Sequence, residues 1–349
     1  QAGNLTSTGW AGKIADQWAG VNRGNPLGLN VSYFGNDHML IGRETSPIVL
    51  TAPDPPAFIG LNSRGSAEER DRVAMFRALA GEQGSGVNVD FGPGYVPQDQ
   101  ESFDRLFAET ERKAGSVFEG LGRVWQANSL QYARRGSYGE SLFDVPDAAT
   151  LGFQAGLGGK LIKQFEAVAK MVHLGATGKL GPGYERQVFF VLLGGFDTHL
   201  AQALRHPLLL RELSLGMWKF QLAMEELGHT ERVTSFTMSD FSRTLTQNWD
   251  GTDHAWGGHS LVFGGSGTGG SGQLRGGEMF GLAPSLVPGG ADDAEEQGRL
   301  IPTISQDQVN ASICDWFGVP EAQVAQLFPN LTNFRTGPGL RSAYLDLFG

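Results

Sequence analysis

The sequence predicts an α/β fold in which helices sandwich a mostly parallel sheet. Two apolar runs, residues 187–193 and 232–238, have the length and the β-branched and aromatic content of strands that are covered on both faces. A helical pattern lies between them. The order strand, helix, strand within about 50 residues predicts a βαβ unit, whose two strands are parallel and usually neighbours.

The helix between these runs is the clearest single element. We predict that it begins at Pro207 and ends before Gly228, which stands where helices favour a terminating glycine. Its apolar residues recur at steps of three and four, which is the spacing of one helix face, so they should form its buried stripe. They are Leu210, Leu213, Met217, Phe220, Met224 and Leu227.

The first half of the chain carries weaker patterns. Residues 30–36 have the pattern of a short strand that ends in a turn, and residues 67–80 have the pattern of a helix. We predict one α/β domain over residues 1–349. Within it, residues 17–160 should form a loop-rich and helical elaboration, and residues 161–334 should form the core with the motif-bearing strands.

Composition excludes several classes of protein. The 349 residues include 27 Lys and Arg against 37 Asp and Glu, a net charge of −10, whereas nucleic-acid-binding proteins carry a basic surface. The single cysteine, Cys314, lies in an apolar helical stretch and should be a core residue, so no disulfide and no multi-cysteine metal site is predicted. No apolar run reaches the roughly 18 residues of a membrane span.

Histidines and aspartates follow the two predicted strands. Asp197 and His199 come after the first strand, Asp240 after the second, and His254 and His259 lie in the loop beyond. Ligands of open α/β sheets bind at the carboxyl ends of strands about 4.8 Å apart, so these side chains can face one pocket. Carboxylate oxygens and imidazole nitrogens are ligands for zinc, manganese and iron. We therefore expect these five residues to enclose one or two divalent ions.

Two further residues of this region have open alternatives. Arg243 can hold a phosphate or sulfate through its guanidinium, or it can form an ion pair that fixes the loop, through Asp240 or Asp253. Asp253 is expected to hydrogen-bond a ligating histidine and orient it. For the whole set, the plainer alternative is that Asp and His after strands serve as turn and cap residues.

Several motifs in the second half of the chain occur together in one known family. In sequence and order they resemble the bacterial family called domain of unknown function 1501, which is placed in the alkaline phosphatase-like superfamily. The resemblance covers about residues 161–334, with a weaker piece at residues 8–13. The motifs that carry it are residues 186–191, 194–199, 239–244, 251–259, 298–303, 305–308, 316–318 and 328–331.

This resemblance implies an alkaline phosphatase-like sandwich and a pocket related to those of metal-dependent phosphatases, phosphodiesterases and sulfatases. It also implies an exported, periplasmic protein, since members commonly carry an N-terminal export signal. In the superfamily, the first metal-binding Asp and the nucleophile lie in an N-terminal portion that we expect to precede Gln1. Phe241 follows Asp240 where better-studied members often have His, and Ser242 and Ala255 replace family glycines.

We predict a metal-dependent hydrolase of phosphate or sulfate esters that uses one or two divalent ions, namely zinc, manganese or calcium. Its partners would be a small anionic ester and a chain or segment that supplies the missing N-terminal portion, with no nucleic acid and no membrane span. The alternative is a non-catalytic binding or assembly subunit on the same scaffold. The expected metal ligands are Asp197, His199, Asp240, His254 and His259, and the expected catalytic residues are Arg243 and Asp253.

Overall fold

A computed structural model describes residues 8–52 apart from 19, 23, 24, 26 and 36, then residues 120–264 and 274–349. The helix predicted over residues 67–80 lies outside these ranges. The described helices are α1 (Trp10–Gln17), a helical stretch over residues 120–127, α2 (Ala148–Leu151), α3 (Lys160–Ala176), α4 (Gln202–Leu227), α5 (Gln306–Phe317) and α6 (Glu321–Leu327). The described strands are β1 (Asn30–Ser32), β2 (Ile48–Val49), β3 (Val188–Phe190), β4 (Thr234–Phe236), β5 (Ser242–Asn248), β6 (Gly251–Ala255) and β7 (Val262–Gly264).

Contacts divide the chain into two compact units. The first consists of Gln1–Gln131 with Glu166–Val191, and the second of Tyr132–Phe165 with Leu192–Gly349. The predicted single domain, with an elaboration over residues 17–160 and a core over 161–334, follows other boundaries and stays a prediction. Among the described residues, no helix combines the length and apolar character needed to cross a bilayer.

The first unit contains a small parallel sheet. Strand β1 lies between β2 and β3 and runs parallel to both. Its residue Asn30 is buried, and the side-chain Nδ2 donates hydrogen bonds to the carbonyl oxygens of Ala11 (3.1 Å) and Leu40 (3.0 Å). A buried amide that satisfies two carbonyls ties helix α1 and the segment near residue 40 to the strand. The strand predicted at residues 30–36 is confirmed for its first three residues.

The predicted pairing of the two apolar runs is wrong. The run at residues 187–193 forms β3, which pairs with β1, whereas the run at 232–238 forms β4, which pairs antiparallel with β7. An apolar run indicates a strand but does not identify its partner. The described protein is therefore mixed α/β, but its parallel sheet is limited to three strands, accompanied by the antiparallel pairs β4–β7 and β5–β6.

Helix α4 differs from its prediction in its start and in part of its buried face, since of the predicted stripe Phe220 and Met224 are buried as expected. It begins at Gln202, so Pro207 lies in its first turns and does not open it, while Gly228 ends it in the left-handed conformation as predicted. Leu210 of the predicted stripe is 53% exposed. The residues that the helix buries are Glu212, Leu215, Gly216, Lys219, Phe220, Ala223 and Met224.

Two buried charged residues, Glu212 and Lys219, belong to the buried face although the apolar pattern does not include them. The Glu212 carboxylate accepts hydrogen bonds from the backbone N–H groups of Gly159 and Leu161, both at 2.9 Å, at the start of α3. The Lys219 ammonium lies 2.6 Å from Glu140 Oε1. Apolar spacing alone cannot reveal that charged residues occupy the core face, because they do so only where partners satisfy them.

Helix α5 contains Cys314 and confirms that this thiol belongs to the core. The side chain is 1% exposed, and burial raises its pKa to about 12. The helix starts with a capping box in which Ser305 and Gln308 satisfy each other's backbone N–H groups.

Candidate metal centre

The segment that carries Asp197 and His199 is fixed by buried polar contacts within the second unit. Gln164 of α3 is buried, and its amide pairs with the backbone of Leu192: Nε2 donates to the carbonyl oxygen (3.0 Å) and Oε1 accepts from the N–H (2.8 Å). Thr198 is fully buried between the two candidate ligands. The backbone is thus held while the side chains of Asp197 and His199 stay about half exposed, at 56% and 45%.

The hairpin β5–β6 brings further side chains to this segment. Its register places Arg243 opposite His254 and Gln247 opposite Thr252, with an irregularity between the two pairs. Residues directly opposite on antiparallel strands point to the same side of the sheet. The Thr252 N–H donates to the Thr198 carbonyl oxygen at 3.4 Å, which joins the hairpin to the segment after β3.

Gly251 makes this close approach possible. A Cβ atom at this position would lie 2.3 Å from the carbonyl carbon and oxygen of His199 and from the carbonyl oxygen of Thr198. No L side chain fits at such distances without displacing the backbone. The first residue of β6 must therefore be glycine for the hairpin to reach the segment.

Three side chains meet at one point, and we call them the Asp197 cluster: Asp197, His199 and His254. Asp197 Oδ1 lies 2.8 Å from His254 Nε2 and 3.0 Å from His199 Nε2, and the two Nε2 atoms lie 3.3 Å apart. Among the residues that the structure describes, this is the group of His, Cys, Asp and Glu side chains whose ligand atoms converge within 4.8 Å.

The spacing of the Asp197 cluster suits a metal ion. Ligand atoms about 2.1 Å from a tetrahedral ion lie roughly 3.4 Å from one another, and the three separations of 2.8, 3.0 and 3.3 Å would reach that spacing if the side chains opened by a few tenths of an ångström. One carboxylate and two imidazoles are also a ligand set that zinc accepts in catalytic sites, where a fourth position stays open. The half-exposed side chains leave the cluster accessible to solvent.

Neighbouring groups orient the two histidines. Asp253 Oδ1 lies 3.4 Å from His199 Nδ1 and also accepts a hydrogen bond from Asn248. The ring of Phe241 stacks on the His254 ring, with centroids 4.1 Å apart and planes 9° apart. Both imidazoles therefore contact a group that restricts their rotation while their Nε2 atoms face Asp197.

Arg243 contacts the carboxylate of the cluster. Its Nη1 donates to Asp197 Oδ1 at 3.0 Å. The hydrogen bond from His254, followed by the one from Arg243 and the charge of His199, holds the pKa of Asp197 below its usual value. Asp197 is consequently ionised at neutral pH, as a metal ligand must be.

The structure brings together five of the seven predicted site residues, namely Asp197, His199, His254, Arg243 and Asp253. Asp240 and His259 are exposed and do not belong to the Asp197 cluster, so their assignment as ligands stays a prediction. Of the alternatives for Arg243, the structure shows an ion pair, but the partner is Asp197.

Four contributors to the site were missed: Phe241, Gly251, Thr252 and Gln202. The position of Thr252 in the sequence could have indicated its place in the site, because it stands two residues before His254 and would lie on the same face of a strand. Gln202 begins α4 and contacts Thr252, and no local pattern in the sequence indicates that role.

Comparison with known protein families finds a match over the region around the Asp197 cluster. A family described as "Protein of unknown function (DUF1501)" matches residues 181–291. Those residues are a DUF1501 domain. The DUF1501 domain spans less than half of the chain and includes the Asp197 cluster together with Arg243 and Asp253. No curated protein and no solved structure matches the chain.

Proposed function

We propose that the DUF1501 domain holds a divalent metal ion and belongs to a hydrolase of phosphate or sulfate esters with an alkaline phosphatase-like architecture. The observation that carries the proposal is the convergence of Asp197 Oδ1 and the two Nε2 atoms of His199 and His254 within 3.3 Å of one another. The reaction class and the architecture rest on the resemblance of the motifs, as does an exported, periplasmic location.

Each residue of the site has a distinct part in this proposal. Asp197, His199 and His254 would hold the ion, which when bound supplies a Lewis acid for an ester oxygen. Asp253 keeps His199 oriented through its Nδ1, and Phe241 fixes the plane of the His254 ring. The solvent-exposed side of the cluster is where a small anionic ester would approach, and Asp240 and His259 remain candidates for a second ion.

Metal titration tests the centre. We expect wild-type protein to bind Zn²⁺ by calorimetry. We expect Asp197→Ala and His254→Ala to lose more affinity than the roughly 10–100-fold that it costs to substitute a group that only hydrogen-bonds a metal ligand. His38→Ala is the matched control, since this exposed histidine lies outside the cluster. Unchanged Zn²⁺ affinity in both cluster variants would contradict the metal centre.

Turnover tests the reaction class. With Zn²⁺, Mn²⁺ or Ca²⁺ added, we expect the full-length natural protein to hydrolyse an aryl phosphate or an aryl sulfate, and its Asp197→Ala variant to lose that activity. Full-length protein that binds metal but hydrolyses neither ester with any of the three ions would contradict the hydrolase. That result would favour the non-catalytic binding or assembly subunit.

A further inference from the structure

We propose that Thr252 and Gln202 are positioning residues that lock Arg243 onto Asp197 and so orient the carboxylate for the cation. This inference rests on the proposed metal centre, and it assigns Arg243 to the support of a ligand instead of the binding of an anionic substrate. We call Arg243, Thr252 and Gln202 the positioning chain.

The first observation is the contrast in burial between Arg243 and its partner. The Arg243 side chain is 11% exposed, whereas that of Asp197 is 56% exposed. All three guanidinium nitrogens already donate hydrogen bonds: Nη1 to Asp197 Oδ1, Nε to Thr252 Oγ1 at 3.0 Å, and Nη2 to the Thr252 carbonyl oxygen. A planar guanidinium held at three nitrogens presents a fixed donor to an otherwise exposed carboxylate.

The second observation is the direction of the hydrogen bond between Thr252 and Gln202. Thr252 Oγ1 donates to Gln202 Oε1 at 2.8 Å, and an amide oxygen can only accept. The Thr252 hydroxyl proton therefore points to Gln202, which leaves the oxygen lone pairs for Arg243 Nε. Gln202 in this way sets Thr252 as an acceptor, and all hydrogen bonds of the positioning chain have compatible directions.

The third observation concerns how Gln202 itself is fixed. It is the first residue of α4, and its backbone N–H donates to the carbonyl oxygen of Asp250 in the turn between β5 and β6 at 3.0 Å. Its Nε2 lies 3.5 Å from His206 Nδ1, one helical turn further on. Contacts with helix α4 and with the turn between β5 and β6 thus both restrain Gln202, which supports the other members of the positioning chain.

The test uses pairs of variants that remove or keep one hydrogen bond. Thr252→Val has the shape of threonine without the hydroxyl, and Thr252→Ser keeps the hydroxyl. We expect Thr252→Val and Gln202→Leu to weaken Zn²⁺ binding by about 10–100-fold. The variants Thr252→Ser and Gln202→Glu, which keep the hydrogen bond, should retain most of the wild-type Zn²⁺ affinity. Thr246→Val is the control, because that hydroxyl lies in the same hairpin but bonds the carbonyl oxygen of Gln297.

Two measurements separate this inference from the metal centre. Calorimetry with Zn²⁺ alone gives the affinity, and a crystal structure of metal-free Thr252→Val gives the orientation of Asp197, which we expect to turn away from His254. If Asp197→Ala abolishes Zn²⁺ binding but Thr252→Val and Gln202→Leu bind as wild type, the metal centre stands and the positioning inference is wrong. If wild-type protein binds no Zn²⁺, both are wrong. An unchanged Arg243–Asp197 pair in the Thr252→Val crystal also overturns the inference.

Discussion

Gly251, a residue without a side chain, has a strict spatial requirement beside the Asp197 cluster. Gly251 lets the hairpin approach the backbone of Thr198 and His199, where a Cβ atom would meet carbonyl atoms at 2.3 Å. These are backbone atoms, which cannot rotate away as the end of a flexible side chain can. The segment that carries two candidate ligands would have to move instead.

We therefore predict that Gly251→Ala damages both stability and metal binding. Overpacking of this kind costs about 1–3 kcal/mol, and the displaced His199 should weaken Zn²⁺ binding. Urea unfolding and calorimetry measure the two effects. Gly156→Ala is the control, since no atom lies within 4 Å of the Cβ it would gain. A Gly251→Ala variant as stable as the Gly156→Ala variant would contradict the close approach.

At the scale of single residues, the sequence identified the candidate ligands by their chemistry. It did not predict how they come together in space. Asp197, His199 and His254 stood out because carboxylates and imidazoles follow predicted strands. Their convergence did not come from the predicted neighbouring strands, because β3 and β4 have other partners. It comes from the hairpin β5–β6, in a region predicted as a loop, and from long-range contacts such as Thr252 with Thr198.

Helix α4 shows which features of a helix its sequence pattern predicts and which it does not. Its existence and its end at Gly228 followed from apolar spacing and glycine preference. Its buried face followed only in part: Phe220 and Met224 are buried as predicted, but Glu212 and Lys219 are charged and nothing in the local sequence indicates their partners. The first N–H groups of a helix have no acceptor within the helix. At the start of α3, the Glu212 carboxylate accepts hydrogen bonds from two such N–H groups.

We predict that Glu212→Ala destabilises the second unit strongly. The change leaves two N–H groups, those of Gly159 and Leu161, without their carboxylate acceptor, and hydrogen bonds to charged groups contribute about 1.5–3 kcal/mol each. We expect a loss of about 3–6 kcal/mol in the free energy of unfolding, measured by urea titration.

A second glutamate on the same helix provides the control. Glu225 is partly exposed and forms an ion pair with Arg134 at 2.9 Å, so Glu225→Ala should cost less than about 1 kcal/mol. Equal losses in the two variants would show that Glu212 does not cap α3.

For the whole molecule, the acidic groups predict how stability depends on pH. The environment lowers the pKa of more carboxyl groups than it raises: among the described residues Asp307 shifts upward through burial, and five shift downward. A carboxyl with a lowered pKa in the folded state contributes stability above its unfolded pKa, and this contribution is lost as the pH falls through the folded value. The five are Asp16, Glu140, Asp147, Asp197 and Asp293.

Asp293 extends the loss of folding stability down to a pH of about 2. Partial burial opposes its ionisation, but hydrogen bonds from four backbone N–H groups outweigh burial and lower its pKa from 3.8 to about 2. We predict that the melting temperature falls as the pH drops from about 4.5 to 2, because the unfolded chain then binds more protons.

Substitution of Asp293 gives the matched comparison. The Asp293→Asn variant should be less stable than wild type at pH 7, and its melting temperature should change less between pH 4 and 2. Parallel curves for the two proteins over that range would contradict the role of Asp293.

The hairpin β5–β6 has one further consequence. Arg243 and His254 are paired across it, and Thr252 supports Arg243 from the same strand as His254. Because side chains alternate between the faces of a strand, adding or deleting a single residue between Arg243 and His254 would turn the side chains of one strand away from those of the other. We therefore expect the number of residues between Arg243 and His254 to vary less than their identities, so that homologous chains differ there by substitution far more often than by insertion.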